Sequence, residues 1–141
     1  MKTIFYIIGV SGSGKTWLAD KVKHLMPVFS HDAKNFQEML DYSHQTCLFE
    51  TPVMWSTYYK NLKSREDAKV IPIAIGADFL RTKQQIISRG GKITPNLYRR
   101  QERLLKLVDV LEIYVMSSTE AASAIAQQCL DLNKKHTIYC A

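Results

Sequence analysis

The chain contains no run of about 18 apolar residues, and so no segment from which a transmembrane helix can be built. Cysteine is scarce. Cys47, Cys129 and Cys140 stand far apart, form no CxxC pair and match no metal-ligand spacing. That excludes a disulfide framework and a zinc-binding module, and free thiols in a reducing cytoplasm are expected. Internal repeats, linkers and low-complexity tracts are absent, so residues 1–141 are expected to form a single domain. The apolar start MKTIFYIIGV has the outline of a secretion signal, yet it runs into GSGKT without a small-residue cleavage site. A buried strand accounts for it better.

What the chain does have is an ordinary globular composition, 46% hydrophobic and 23% charged, with 19 basic against 13 acidic residues. The excess charge is concentrated. Between Arg81 and Lys106 stand eight basic residues (Arg81, Lys83, Arg89, Lys92, Arg99, Arg100, Arg103, Lys106) and one acid, Glu102, a net of +7, so the other 115 residues sum to −1. A charge gathered in one segment points to a phosphate-bearing ligand there, where an evenly solubilised surface would spread it.

Short β-branched runs alternate with helical spacings. Strands are predicted at Lys2–Ile8, Val28–Ser30, Thr46–Glu50, Lys69–Ile75 and Val110–Met116. Pro72 marks the fourth as weakened or at an edge. Helices are predicted from Thr16 to Met26 with Leu18, Val22, Leu25 and Met26 on one stripe, from Ala33 to Tyr42 with Phe36, Met39 and Leu40 inward, and from Val53 to Arg65 with Trp55, Tyr58, Tyr59 and Leu62 on one side. Others run from a cap at Asp78 to Arg89, ended by Gly90 and Gly91, from Pro95 to about Leu107, and from a cap at Ser117 or Ser118 to about Leu132. The terminal HTIYCA adds an edge strand or frays. Alternation of this kind predicts a three-layer α/β fold around a five-stranded, mainly parallel sheet.

Gly9-Val10-Ser11-Gly12-Ser13-Gly14-Lys15-Thr16 matches GxxxxGK[ST] in full, between a predicted strand and a predicted helix. Glycines at that spacing let backbone N–H groups turn inward around phosphate oxygens. Lys15 supplies a point charge for the β- and γ-phosphates, the Thr16 hydroxyl a ligand for Mg²⁺, and the helix start a positive end. ATP and Mg²⁺ are therefore the expected cofactors.

Three further groups surround the loop in this reading. Asp32 follows the second strand and so lies at the carboxyl edge of the sheet, where it can take the proton of an acceptor hydroxyl or cap the helix starting at Ala33. Both can hold. Glu50 ends the third strand at the same edge, suited to Mg²⁺ through water, to a substrate group or to an ion pair. Arg81 and Arg89, eight apart, share a helical face, as do Arg99 and Arg103, four apart, and two such helices joined through Gly90 and Gly91 suit a lid over about residues 79–107. Tyr58, Tyr59 and Trp55 read first as core, second as a stacking platform for bases. A separate apolar strand ending in Asp, which motor-type ATPases use, is missing and favours a small kinase.

With these residues in place the sequence resembles the kinase domain of phage polynucleotide 5′-hydroxyl kinases and related small P-loop kinases. The matching parts are the GSGKT loop, Ser30-His31-Asp32 after the second strand, and Ser88-Arg89-Gly90-Gly91-Lys92-Ile93-Thr94-Pro95. The resemblance implies Asp32 as general base, Arg89 as lid arginine, and Lys34 in the place of a basic residue shortly after the Asp. Gln85 stands where that family has a second arginine, with Arg81 as its replacement. The outline is also similar to guanylate and deoxynucleotide kinases, and to short phage kinases acting on hydroxymethylated pyrimidines in DNA. The expected function is transfer of the ATP γ-phosphoryl group to a hydroxyl on nucleic acid. Its alternatives are a (deoxy)nucleoside monophosphate kinase and a nucleotide-binding module without an acceptor.

Overall fold

Strands that are apolar on both faces must lie between two layers of helices. In the computed structural model, which describes residues 2–10, 13–42, 46–51, 56–76, 79–110 and 113–127, they do. The elements in order are β1 (Lys2–Ile8), α1 (Lys15–Val22), β2 (Val28–Ser30), α2 (Ala33–Asp41), β3 (Thr46–Thr51), α3 (Ser56–Lys63), β4 (Ala68–Ala74), α4 (Phe79–Ser88), α5 (Pro95–Val110), β5 (Tyr114–Val115) and α6 (Ser118–Gln127). The sheet has five strands in the order β2-β3-β1-β4-β5, and every pairing is parallel.

Alternation along the strands sorts the core into two. Ile4, Tyr6 and Ile8 of β1, with Cys47 and Phe49 of β3, pack beneath Met39 of α2, Tyr59 and Leu62 of α3, Ile86 of α4, and Leu97 and Leu104 of α5. Phe5 and Ile7, with Leu48, Ile71 and Ile73, pack against Leu18 and Val22 of α1 and Ala121 and Ile125 of α6. Tyr6 stacks on Phe49 with ring centroids 5.6 Å apart, and Tyr58 and Tyr59 join the same aromatic group, so the core reading of these tyrosines holds. Trp55 lies outside the described residues.

The faces follow from chain handedness. The step from β1 to β2 runs outward past β3, whereas β2→β3, β3→β4 and β4→β5 all run the other way. Right-handed crossovers in opposite directions must use opposite faces of the sheet. Hence α1 lies on one face and α2, α3, α4 and α5 on the other. The chain's exits from β1 and β3, adjacent strands, therefore diverge, and a crevice opens between them at the carboxyl edge.

Most predicted boundaries hold within a few residues, and the departures have physical causes. The first helix ends at Val22, not Met26; the Leu25 and Met26 N–H groups both reach the Val22 carbonyl in a tight last turn. That turn swings Leu25 out of the expected stripe to 59% exposure while Met26 stays buried. The fifth strand does not begin at Val110. Leu104, Leu107 and Val108 prolong the inward stripe of α5, so helical spacing overrides the β-branched run at Val110, and among the described residues of the run Tyr114–Val115 form the strand. Pro72 is on an interior strand rather than an edge strand. Ile75 donates its N–H toward β1, so by alternation the Pro72 nitrogen faces the β5 side, where pairing starts only at Ile73. The expected cap at Asp78, the helix start at Val53–Trp55, the end of the last helix toward Leu132, Cys129, Cys140 and HTIYCA lie outside the described residues. Cys47 is buried with a free thiol, and burial pushes its pKa up to about 11.

Gly90 and Gly91 stop α4 as expected. The Gly91 N–H reaches back to the Ile86 carbonyl at 2.9 Å and the Gly90 N–H to Ile87 at 2.9 Å, with Gly90 at φ +79°, a Schellman closure. No atom lies within 4 Å of a Cβ added at Gly90, so its substitution tests backbone conformation alone. Gly90→Ala is expected to cost about 1–2 kcal/mol of stability in urea unfolding. An unchanged midpoint would contradict the left-handed closure.

Candidate active site

The loop after β1 is fastened from several sides. The Ser13 N–H donates to the Val10 carbonyl at 3.1 Å, and the Gly14 carbonyl accepts from Leu18 at 2.9 Å as α1 begins. Gly76, at φ +81° just past β4, presses against this loop so closely that a Cβ there would meet the Ser13 Cβ at 2.4 Å. The Gly76 carbonyl accepts hydrogen bonds from Gln101 Nε2 at 3.0 Å and Thr82 Oγ1 at 3.4 Å, both buried side chains. One backbone oxygen thus ties the loop to α4 and α5. Among the described residues the buried Ser13 Oγ has no hydrogen-bond partner, and a buried polar atom of this kind calls for one.

Lys15 spans the crevice. Its Nζ lies 3.5 Å from the Thr51 carbonyl at the end of β3. Thr51 is itself fixed by a hydrogen bond with the buried Tyr6 hydroxyl, whose pKa burial drives well up. Burial lowers the Lys15 pKa, the neighbouring Glu50 carboxylate acts to raise it, and the Arg100 guanidinium lowers it further. The ammonium is thus held in a poorly solvated place with one carboxylate and one competing cation, ready for an anion of higher charge.

A cleft of about 670 Å³ opens over Lys15, lined by Val10, Gly14, Thr16, Trp17, Glu50, Arg81, Gln85, Ser88, Arg89, Ser118 and Thr119. Of the residues singled out from the sequence it gathers Gly14, Lys15, Thr16, Glu50, Arg81 and Arg89. Gly9 and Ser13 support the loop from below: a Cβ at Gly9 would come 2.5 Å from the Ser13 Oγ. Ser11 and Gly12 lie outside the described residues.

Besides Gly9 and Ser13, four residues singled out from the sequence do not line this cleft. Asp32 is exposed at the start of α2, where its Oδ1 accepts the Lys34 N–H at 2.8 Å, so the cap is present. Lys34 is exposed and pairs with Glu38 at 3.9 Å. Arg99 and Arg103 are exposed on α5. The α5 cation that senses Lys15 is Arg100, which the sequence reading did not single out. Its signal was available: Leu97, Gln101 and Leu104 turn inward on α5, and Arg100, three after Leu97, borders that stripe. Thr94 also went unnoticed as the cap of α5, accepting the Leu97 N–H at 3.3 Å, and Ser117 with Glu120 forms a reciprocal capping box on α6. Among the described residues no group of three His, Cys, Asp or Glu could hold a metal, and no helix is long and apolar enough to cross a membrane.

No protein-family model and no curated protein sequence matches the chain. Solved structures do. Shikimate kinase from Acinetobacter baumannii in complex with shikimate aligns with a TM-score of 0.54 at 13% identity, over 94% of this chain and 97% of that one. The chain shares the three-layer α/β fold of that kinase. A gluconokinase from Sinorhizobium meliloti 1021 aligns with a TM-score of 0.48 at 13% identity, over 91% and 89%. At 13% identity the likeness to the shikimate kinase establishes the three-layer fold alone.

Because burial lowers the Lys15 pKa below that of the unfolded chain, the unfolded state holds the proton more tightly. The resulting penalty on the folded state is full at neutral pH and lifts as pH rises toward the ordinary lysine value. Lys15→Met is therefore expected to melt above the wild type near pH 7, with the difference shrinking toward about pH 10. A variant melting below the wild type at pH 7 would contradict a desolvated ammonium.

Proposed function

We propose that the chain is an ATP-dependent kinase that uses Mg²⁺ and delivers the γ-phosphoryl group to a hydroxyl. The observation that carries this reading is Lys15, held poorly solvated across the β1–β3 crevice in one cleft with Thr16, Glu50, Arg81 and Arg89. The Ser13 Oγ, without a hydrogen-bond partner among the described residues, suits a phosphate group in the loop. Mg²⁺ bound mainly by phosphate oxygens and water needs only one or two protein ligands, and Thr16 and Glu50 on the cleft wall would be those. The bound ion would neutralise charge on the phosphates.

In the proposed step the acceptor oxygen bonds to the γ-phosphorus as the bond to the β–γ bridging oxygen breaks, and ADP leaves. Asp32, at the carboxyl edge beside β3, takes the acceptor proton; one of its oxygens is engaged by the Lys34 N–H and the other serves as the base. Lys15, Arg81 and Arg89 bear on the charge spreading over the transferring group. The segment 79–107 forms the lid, with Gln101 anchoring α5 and Arg89 next to the glycine turn.

A hydroxyl on nucleic acid is the acceptor we favour, supported by the exposed Arg81, Arg89, Lys92, Arg99, Arg103 and Lys106 that continue from the cleft over α4 and α5. A small hydroxylated molecule is the second reading, supported by the fold shared with a shikimate-bound kinase. The two cleft arginines would equally suit a nucleoside monophosphate.

Labelled ATP offered with DNA 5′-hydroxyl ends, hydroxymethylated DNA, shikimate and a set of monophosphates separates these acceptors. Label is expected on a DNA hydroxyl, and label on a small molecule alone would replace that acceptor. Asp32→Asn keeps the cap but not the base, so a hydroxyl kinase should lose about 10²- to 10⁴-fold in kcat with little change in Tm. Full activity in this variant would remove Asp32 from the chemistry and favour the monophosphate, which arrives already ionised.

A further inference from the structure

The two walls of the cleft differ in chemistry because they come from opposite faces of the sheet. Arg81, Gln85, Ser88 and Arg89 all belong to the α4 side, strongly basic. Trp17, Ser118 and Thr119 belong to α1 and α6 on the other face, and none of the three carries a charge. Lys15 lies between the walls.

Trp17 is unusual in its position. Tryptophan is the side chain with most to gain from burial, yet this one is left 42% exposed in the first turn of α1, two residues after Lys15. Of the large hydrophobic side chains that are exposed among the described residues (Leu25, Tyr42, Leu80, Ile87, Tyr98 and Leu105 are the others), Trp17 alone lines the cleft. Lys21 Nζ sits over one face of the indole, 5.4 Å from its ring centre, which leaves the other face for a second partner.

The neighbouring wall is rigid and polar. The capping box between Ser117 and Glu120 fixes the start of α6, and Ser118 approaches the loop so closely that a Cβ on Gly14 would meet its Cβ at 2.8 Å. Ser118 and Thr119, both hydroxyl-bearing, thus share the cleft lining with Trp17, and Ser118 abuts the phosphate loop at Gly14.

We infer that Trp17, Ser118 and Thr119 form the subsite for the nucleobase of the phosphate donor, with the base stacked on the free indole face and its polar edge on the hydroxyls. A nucleoside triphosphate is a flat, uncharged ring joined to a polyanion, and the cleft offers an uncharged aromatic wall joined to a cationic floor. The inference rests on the proposal that the loop binds the donor's phosphates. It adds that affinity for ATP over bare polyphosphate comes from one aromatic side chain on α1.

Calorimetric titration of the full chain with ATP and, separately, with inorganic tripolyphosphate tests it. Trp17→Ala is expected to weaken ATP about tenfold or more and to leave tripolyphosphate unchanged, while Trp17→Phe, still aromatic, recovers most of the ATP affinity. With Trp55 replaced by Phe, Trp17 is the remaining tryptophan, and its fluorescence is expected to change on adding ATP but not tripolyphosphate. Equal weakening of both ligands, or of neither, would overturn the subsite while leaving the phosphate loop standing. A folded wild type that binds neither ligand would overturn the kinase reading itself, and the subsite with it.

Discussion

An ammonium group kept in a place where water solvates it poorly is the constraint around which this fold is arranged. Lys15 lies in the crevice between β1 and β3, with its own loop on one side and the Thr51 carbonyl on the other. A charge so placed costs free energy in the unliganded protein, and the Glu50 carboxylate nearby offsets only part of it, since burial still prevails on the Lys15 pKa. A polyanion entering the cleft would relieve that cost. The crevice itself exists because β1 and β3 are neighbours whose chains leave toward opposite faces, a consequence of the strand order and of right-handed crossovers.

The same arrangement links the loop to the basic helices. Gly76 packs on Ser13, and its carbonyl is shared by Thr82 of α4 and Gln101 of α5. Arg81 and Arg100 each adjoin one of these anchored side chains in sequence, so whatever shifts the loop shifts the cations around it. Leu97 and Leu104 hold α5 in the core on both sides of Gln101.

Much of this was legible in the sequence because the signals were local and redundant. The strand Lys2–Ile8, the stop at Gly90 and Gly91 and the cap at Asp32 each depend on residues a few positions apart, and each formed as expected. Where local signals competed, long-range packing decided. The VLEIYVM run has strand propensity, but the inward stripe of α5 carried the helix to Val110. Leu25 fits a helical stripe on paper and points to solvent because the helix closed a turn early. The cleft was read less completely than the fold. Spacing along a helix picks out pairs such as Arg99 and Arg103, whereas facing Lys15 depends on how α5 is set against β1 and β4, and that orientation favours Arg100. Trp17 escaped notice for a similar reason: its wall is made by α6, about one hundred residues away in the chain.

In the proposed function, Lys15 leaves the Thr51 carbonyl for the phosphates of a bound nucleotide. A crystal structure with a non-hydrolysable ATP analogue and Mg²⁺ tests it most directly. The triphosphate is expected in the loop Gly9–Thr16, with the Lys15 Nζ moved from the Thr51 carbonyl to the β- and γ-phosphate oxygens and the β1–β3 ladder unchanged. Nucleotide bound elsewhere, or Lys15 still resting on Thr51 beside a bound nucleotide, would contradict it.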